Sequence, residues 1–316
     1  MLKLCLHRIA WGAITLAAVI VITFGGVEAL PGDACTAYLG RQASPTALEK
    51  CRVEFGLDRP LPVRFLAWSA AIASGDFGTS IKRDKPVLEI IGPRLRNTVL
   101  LAVAAAALGF PVAILLGVVV GLRRDSLLDG ALSSVAMVAM TVPEFVSATA
   151  LILVFSIWLG WLPGISIVPP NAPIGALMSS IALPTIALAM IMTAHVLRMV
   201  RASVIQVLAS PYVQMAILRG VPYWRMVFHH VLPNALVPAL SVMALTMAWL
   251  LSGAVVIEVV FNYPGLGRLT IDAISDRDLP LVQGIALILA AIYIALNLIA
   301  DVLTLAANPR LRTARG

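Results

Sequence analysis

The sequence predicts an all-α integral membrane protein with six transmembrane helices and both termini in the cytoplasm. Three observations lead to this fold class: an apolar composition, six long apolar segments, and basic residues concentrated in alternate loops between them. Hydrophobic residues make up 60% of the 316 residues and charged residues only 12%, and the mean hydropathy is +0.96. Because soluble domains usually carry about 25% charged residues, membrane spans are expected to occupy most of the length.

The net charge of +7 does not indicate a nucleic-acid partner, because the cations lie mostly in loops and at the termini. Orientation signals and contacts with lipid head groups account for that distribution. We therefore expect the lipid bilayer as a partner, and no nucleic acid.

Six apolar segments are long enough to cross the hydrocarbon core, which is about 30 Å thick and requires about 20 helical residues. They are residues 9–30, 97–121, 130–160, 178–200, 234–260 and 281–305. The third contains Pro143, which predicts a kink or a break near that point. The first is longer than the apolar core of a signal peptide and no clean cleavage site follows it, which favours an uncleaved span.

Basic residues in the short loops set the orientation. Arg123 and Arg124 follow the second span, an arginine-rich stretch follows the fourth, and the short loops on the other side carry little or no positive charge. The positive-inside rule then places both termini in the cytoplasm. Residues 31–96 lie outside despite their basic residues, because long loops are translocated regardless of charge.

The chain is thus expected to have four parts. Residues 1–30 are a cytoplasmic N-terminus with the first span, and residues 31–96 are an extracytoplasmic loop. Residues 97–305 are a five-span core that includes a cytoplasmic loop at 201–233, and residues 306–316 are a cytoplasmic tail.

The extracytoplasmic loop contains two cysteines and one short apolar segment. A disulfide between Cys35 and Cys51 would contribute about 3 kcal/mol by closing the intervening loop, and two unpaired thiols are the alternative. The segment from Leu61 to Ala73 is too short to span and carries Arg64, so it is expected to be an interfacial helix.

One interior block, residues 210–233, carries repeated charge between two long apolar segments. Ser210 is expected to cap a first helix, and Gly220 tolerates the left-handed conformation that often ends one. Pro222 then opens a second helix, which Pro233 ends. The block is therefore predicted to be two short helices joined at a glycine bend.

The first of these helices presents a candidate contact face. Tyr212, Met215, Ala216 and Arg219 follow the i, i+3, i+4, i+7 spacing and share one side of the helix. A compact bent helix pair on the arginine-rich side of the membrane is suited to binding by a cytoplasmic partner. The alternative is an ordinary amphipathic connector between two spans.

Four polar side chains lie inside or at the rims of the predicted spans, where an ionised group is costly unless it is paired or hydrated. They are Glu144, Glu258, Asn297 and Asp301. Such groups line a pathway or hydrogen-bond neighbouring helices together. For Asn297 and Asp301, which are one turn apart near the cytoplasmic end of the sixth span, we favour the second interpretation.

Glu258 is the candidate for an outer gate. It shortly precedes Pro264, Gly265 and Gly267, which form a turn-rich stretch at the outer end of the fifth span. The gate interpretation and a purely structural one are equally supported by the sequence.

Enzymatic and metal chemistry receive little support. The sequence has no G-x-x-x-x-G-K-[ST] loop, so the chain is not expected to hydrolyse ATP. His229 and His230 are adjacent and point in different directions on a helix, so no metal site is expected there. A secondary transporter or channel would suit the Gly and Pro residues in the spans but would not explain the folded cytoplasmic loop.

The block around Gly220 resembles the cytoplasmic E-A-A-x3-G-x9-I-x-L-P loop of permease subunits of binding-protein-dependent ABC importers. Ala216 takes the last position of the opening triplet, Gly220 the glycine, and Leu232-Pro233 the terminal pair. Three positions depart from the pattern: Gln214, Met215 and His230.

The resemblance covers nearly the whole chain and is to the first permease of the dipeptide and oligopeptide subfamily. The stretches that carry it are Leu30-Pro31-Gly32-Asp33, Gly56-Leu57-Asp58-Arg59-Pro60-Leu61, Gly75-Asp76-Phe77-Gly78-Thr79-Ser80, Glu258-Val-Val-Phe261-Asn-Tyr-Pro264-Gly265-Leu-Gly267, Arg277-Asp278-x-Pro280 and Asn308-Pro309-Arg310.

The resemblance implies a type I ABC importer permease in the cell membrane that pairs with a second, homologous permease. Peptide would pass between the two, delivered by an extracytoplasmic peptide-binding lipoprotein that the loop 31–96 contacts. Two ATPase domains would bind ATP and Mg, with no cofactor in this chain, and Tyr212, Met215, Ala216, Arg219 and Gly220 would form the coupling helix seated on them. Permeases of this subfamily also resemble importers of nickel, glutathione and haem.

Overall fold

The computed structural model describes residues 2–29, 35, 44–54, 57–166 and 168–307. Several stretches named above lie outside these residues, as do some side chains within them. They are Leu30-Pro31-Gly32-Asp33, Gly56, Asn308-Pro309-Arg310 and the rest of the tail, and the side chains of Cys51 and Asp301.

The described chain is built almost entirely from helices, with one two-stranded antiparallel hairpin, β1–β2, just before the second span. The elements are α1 (Leu2–Glu28), α2 (Pro45–Glu54), α3 (Leu61–Ala73), β1 (Thr79–Ser80), β2 (Lys85–Pro86), α4 (Val87–Leu122), α5 (Leu127–Thr141), α6 (Glu144–Leu151) with a π-helical extension (Ile152–Trp158), α7 (Ile174–Ser180), α8 (Ala182–Leu208), α9 (Pro211–Leu218), α10 (Tyr223–Met226) with a π-helical extension (Val227–Val231), α11 (Leu232–Gly253), α12 (Val255–Val260), α13 (Leu266–Ser275) and α14 (Leu279–Ala307).

The prediction of six spans is confirmed. Within the described residues five helices are long and apolar enough to cross a membrane, and α5 with α6 and its extension makes a sixth when the two halves are taken together. The halves meet at an angle of 106°. The break falls at Val142 and Pro143, as predicted, because proline has no amide proton to continue the hydrogen-bond ladder of α5.

Two spans begin earlier than predicted. The second begins at Val87 rather than at residue 97 and its helix has 36 residues. Glu89, Arg94 and Arg96 lower the hydropathy of its first turns, which hid them from an apolar window. The fifth begins at Tyr223 rather than at residue 234, so it includes the second helix of the cytoplasmic loop.

The prediction that Pro233 ends the second loop helix is wrong. After α10 the chain passes through the π-helical extension, and Pro233 lies in the first turn of α11. The π-helical extension directly before Pro233 already departs from the regular i, i+4 hydrogen-bond ladder, so the missing amide proton of Pro233 does not end the span. The helix runs on into the membrane.

The core of the molecule is the close contact between α4 and α8. A Cβ atom at Gly117 would lie 2.7 Å from the Cβ of Val200, and one at Gly121 would lie 2.8 Å from the Cβ of Val204. Only glycine fits at these two positions. Small residues let membrane helices approach closely, and the packing gained holds them together where the hydrophobic effect is weak.

The predicted interfacial helix is α3, with the bounds expected, and it packs against the end of the first span. Arg64 donates two hydrogen bonds to the carboxylate of Glu28, at 3.0 and 2.5 Å. The rings of Phe24 and Phe65 meet edge to face, with centroids 5.3 Å apart. The ion pair and the aromatic contact fix α3 against α1.

The hairpin β1–β2 is attached to the start of the sixth span through Asp278. The Ser80 hydroxyl and the amide of Ile81, at 3.2 Å, donate to this buried carboxylate. The stretches around Ser80 and Asp278, which both contributed to the family resemblance, therefore contact each other. Cys35 is fully buried and disulfide-bonded. Since the side chain of Cys51 is not described, the pairing stays a prediction.

Candidate functional site

The loop between the fourth and fifth spans folds into two short helices, α9 and α10, joined at Gly220. Gly220 has φ +73°, and its amide donates to Ile217 O at 2.9 Å while the amide of Val221 donates to Ala216 O at 3.1 Å. These two bonds are the Schellman pattern that ends a helix at a left-handed residue. A Cβ atom at Gly220 would contact nothing within 4 Å. Glycine is therefore needed for its conformation and not for space.

Ser210 does not cap α9 as predicted. Its hydroxyl turns back and donates to the carbonyl of Val207, in the last turn of α8. Gln214 also reaches back, and its amide donates to Leu208 O at 2.9 Å. Both side chains satisfy carbonyls at the end of α8, so they fix the angle at which α9 leaves that helix.

The exposed face of the helix pair differs in one residue from the predicted contact face. Tyr212, Met215 and Arg219 are exposed, but Ala216 is only 9% exposed. It lies on the same side of α9 as the fully buried Val213. Ala216 therefore faces its own chain. The i, i+4 spacing places it at the edge of the predicted contact face, and that edge borders the buried side of α9.

The second helix of the pair and its extension carry three exposed aromatic residues that the sequence did not single out. Trp224 and Phe228 lie one turn apart and stack with centroids 6.0 Å apart, and Tyr223 contacts Trp224 edge to face at 5.4 Å. Trp224 is 65% exposed. The i, i+4 spacing of Trp224 and Phe228 could have indicated a shared helix face. It was missed because the fifth span was predicted to begin at residue 234, after both. We call Tyr223, Trp224 and Phe228 the aromatic patch.

The second candidate region surrounds Glu258, at the other end of the fifth span. The side chain is fully buried. It accepts a hydrogen bond of 2.6 Å from Thr98 of α4 and one of 3.0 Å from the amide of Arg268 in the first turn of α13. A carboxylate is favourable at a helix N-terminus, where amides lack partners and the helix dipole is positive.

The two glycines beside this carboxylate are required for its position. A Cβ atom at Gly265 would overlap the carboxyl group of Glu258, and one at Gly267 would lie 2.7 Å from the Cα atom of Val255. The structure thus brings the four gate candidates together, since Pro264 lies in the same turn. Glu258 holds this turn against α4 through its hydrogen bond with Thr98.

Asn97 completes this polar cluster, together with Thr98, and neither was predicted. The side-chain amide of Asn97 donates to Pro264 O at 2.9 Å and to Pro170 O at 3.0 Å. The backbone carbonyl of Asn97 accepts from the Tyr263 hydroxyl at 2.8 Å. Burial raises the pKa of Tyr263, as does the nearby Glu258, so the phenol stays protonated as a donor. The cluster joins α4, the loop before α7 and the loop before α13.

The remaining polar candidates are less connected. Asn297 donates to Tyr293 O in its own helix at 3.0 Å, so the bond seen is not between helices. Glu144 begins α6, directly after the break in the third span.

Two polar residues of α8 also make side-chain contacts. His195 contacts Ile191 O in its own helix, at 3.0 Å. Arg201 forms an ion pair with Asp129 of α5, which the sequence did not reveal because the partners are 72 residues apart.

Two protein families and several known proteins are similar to this chain over most of its length. Residues 113–313 match the family described as binding-protein-dependent transport system inner membrane component, and residues 1–102 match the N-terminal model of such membrane components. A putative peptide transport system permease protein of Brucella abortus (strain 2308) is 38% identical over 99% of both chains.

Two further relatives cover similar lengths. A probable peptide ABC transporter permease protein of Sinorhizobium fredii is 33% identical over 97% of this chain and 98% of its own. A glutathione transport system permease protein of Pectobacterium atrosepticum is 35% identical over 94% of this chain and 95% of its own. Given these full-length matches and the helical architecture, the chain belongs to the inner membrane components of binding-protein-dependent transport systems.

Proposed function

We propose that this chain is one of two permease subunits of an ABC importer for peptides. The observation that carries the substrate class is the end-to-end similarity to relatives that are named peptide permeases. Family membership favours binding-protein-dependent transport over the ATP-independent transporter that the sequence left open. Glutathione, itself a small peptide, is the second candidate substrate, because one relative of nearly equal length is named for its transport.

The partners follow from the chemistry that this chain lacks. It has no phosphate-binding loop, so ATP and Mg are bound by separate ATPase domains. A second, homologous permease completes the pathway, and an extracytoplasmic peptide-binding lipoprotein delivers the substrate. The loop 31–96 contacts that protein in this proposal, and the ion pair between Arg64 and Glu28 fixes the helix α3 of this loop against α1.

The helix pair α9–α10 is the coupling element in this proposal. Its geometry supports that role, because the pair is a rigid projection held at both ends by spans. Val213 of α9 and Met226 of α10 pack into one buried cluster with Val200 and Val204 of α8. A force on the exposed Tyr212, Met215 and Arg219 would therefore move the fourth and fifth spans together.

Isolation of the complex tests this proposal. The tagged chain is purified from native membranes in mild detergent, and its partners are identified by mass spectrometry. We expect a second permease, an ATPase and a peptide-binding lipoprotein. Recovery of the chain alone, in a detergent shown to preserve other membrane complexes, would contradict the proposal.

A further inference from the structure

A partly buried ion pair joins the third span to the fourth, two turns before the fourth enters the helix pair α9–α10. Arg201 Nε donates to Asp129 Oδ1 at 2.6 Å and Arg201 Nη2 donates to Asp129 Oδ2 at 2.7 Å. Asp129 is only 3% exposed. A bidentate pair between a guanidinium and a carboxylate fixes the relative orientation of its partners, beyond what one hydrogen bond achieves.

The carboxylate of Asp129 is itself held firmly in the first turn of α5. It accepts from the amide of Asp125 at 3.0 Å and from the hydroxyl of Ser133 at 3.1 Å. The amide of Asp129 in turn donates to the hydroxyl of Ser126, the N-cap of α5, at 3.2 Å. Arg201 therefore binds a carboxylate whose position at the start of α5 is fixed by hydrogen bonds.

The rest of α5 has a cavity beside it. Ala136 of α5 packs in a buried cluster with Ala194 and Leu197 of α8, and next to this cluster an apolar cavity of about 330 Å³, partly open to the surface, lies between parts of α4, α5 and α8. Its lining includes Leu116, Leu132, Ala136, Met190 and Leu197. At its other end α5 is released by the 106° break before α6. The helix is thus fastened at one end by the ion pair, while a cavity and a break leave room for its angle to change.

The other partner, Arg201, belongs to the same body as the helix pair α9–α10. Val204, one turn further along α8, packs in one buried cluster with Val213 of α9 and Met226 of α10. A displacement of the helix pair therefore displaces Arg201.

We propose that Arg201 and Asp129 are positioning residues that pass displacement of the helix pair α9–α10 to the broken third span. The pair stays formed while α5 swings about it into or away from the space now occupied by the cavity. This inference rests on the proposed coupling role of the helix pair. It adds a route by which the third span follows the ATPase cycle, since none of the described residues of that span belongs to the buried cluster that joins the helix pair to α8.

The test compares uptake per ATP hydrolysed for the complete importer in proteoliposomes, normalised to the amount of assembled complex. The variants are Asp129→Asn, Arg201→Lys, which keeps the charge but loses the bidentate geometry, and the control Asp125→Asn. Asp125 lies in the same region, but its ion pair with Arg124 is largely exposed, so its loss should matter little. Asparagine also tolerates the left-handed φ of +63° at that position.

We expect Asp129→Asn to lower uptake per ATP at least tenfold, Arg201→Lys to lower it by less, and Asp125→Asn to stay within twofold. A purely structural role would lower the amount of assembled complex and leave this ratio unchanged, and an unchanged ratio for Asp129→Asn would overturn the proposal. If the wild-type importer takes up no peptide, the proposed function fails first.

A distance measurement keeps the proposal testable if Asp129→Asn does not assemble. Spin labels are placed on the wild-type background at Leu127, which is 95% exposed at the start of α5, at Val138, which is 60% exposed near its other end, and at Gln206 on α8. The Leu127–Gln206 distance should stay constant when nucleotide binds, while the Val138–Gln206 distance changes. A nucleotide-dependent change between Leu127 and Gln206 would show that the pair opens, which contradicts a permanent attachment.

Discussion

Gly220 and Glu258 show how single residues set the shape of the two candidate regions. Gly220 holds a left-handed φ in open space, so its role is to bend the loop. Glu258 is buried and fastens α4 to the start of α13, so its role in this chain is to hold the turn around Pro264 in place. The gate assignment for Glu258, Pro264, Gly265 and Gly267 stays a prediction, since a clamp of this kind fits either a fixed cap or one conformation of a gate.

Substitution of Gly220 separates conformation from bulk. A β-branched residue in the left-handed region costs about 1–2 kcal/mol, whereas asparagine is tolerated there. We expect Gly220→Val to insert normally and to uncouple uptake from ATP hydrolysis, and Gly220→Asn to keep most of the coupling. Uptake per ATP in membranes with matched expression is the readout. Wild-type coupling in Gly220→Val would refute the role of the bend.

Some residue-level features followed from the sequence because their causes are local. The left-handed Gly220 and the break at Pro143 both depend on one residue and its neighbours. The hydrogen bond between Thr98 and Glu258 joins residues 160 apart, and no local pattern reveals such a pairing. The inward turn of Ala216 depends likewise on what α9 packs against.

At the scale of elements, the fifth span and the second loop helix are one continuous structure. The π-helical extension Val227–Val231 carries α10 into α11 past Pro233. The aromatic patch lies on the exposed side of this continuous helix. A partner that contacts the patch therefore pushes directly on a membrane span.

The aromatic patch is expected to contribute to binding of the ATPase. Exposed tryptophans are frequent hot spots in interfaces, where truncation costs 2 kcal/mol or more. We expect Trp224→Ala to weaken ATPase binding at least tenfold, with little effect on the thermal stability of the chain because the side chain is exposed.

Trp158→Ala serves as the matched control for this prediction. Trp158 is also highly exposed, at 70%, but it lies at the end of the π-helical extension of α6. Titration of the purified permease pair with ATPase measures both affinities. Equal binding by Trp224→Ala and Trp158→Ala would place the ATPase contact elsewhere on the chain.

At the scale of the whole molecule, the composition and the apolar segments were sufficient to predict an all-α protein with six spans. They were less informative about where the spans begin. Charged residues in the first turns of α4 lowered the local hydropathy, so its start was missed. These side chains are accommodated by contacts with the rest of the chain, such as the hydrogen bond from Arg96 to Ala172 O, at 2.8 Å. Membrane insertion alone therefore does not define the ends of these helices.

The two candidate regions lie at opposite ends of the fifth span. The helix pair α9–α10 precedes α11, and the cluster around Glu258 follows it in α12. Movement imposed at one end can reach the other through α11, as binding-protein-dependent transport requires. Substrate choice would then depend on the protein that delivers the substrate to the outer end.

Uptake by the reconstituted importer distinguishes a binding-protein-dependent peptide importer from other transporters. Proteoliposomes contain this chain, its partner permease and the ATPase, with binding protein outside and ATP inside, and labelled dipeptide, oligopeptide and glutathione are offered separately. We expect saturable peptide uptake that stops when either ATP or binding protein is omitted. Peptide uptake that continues without both, or uptake of none of the three substrates by an active ATPase complex, would contradict it.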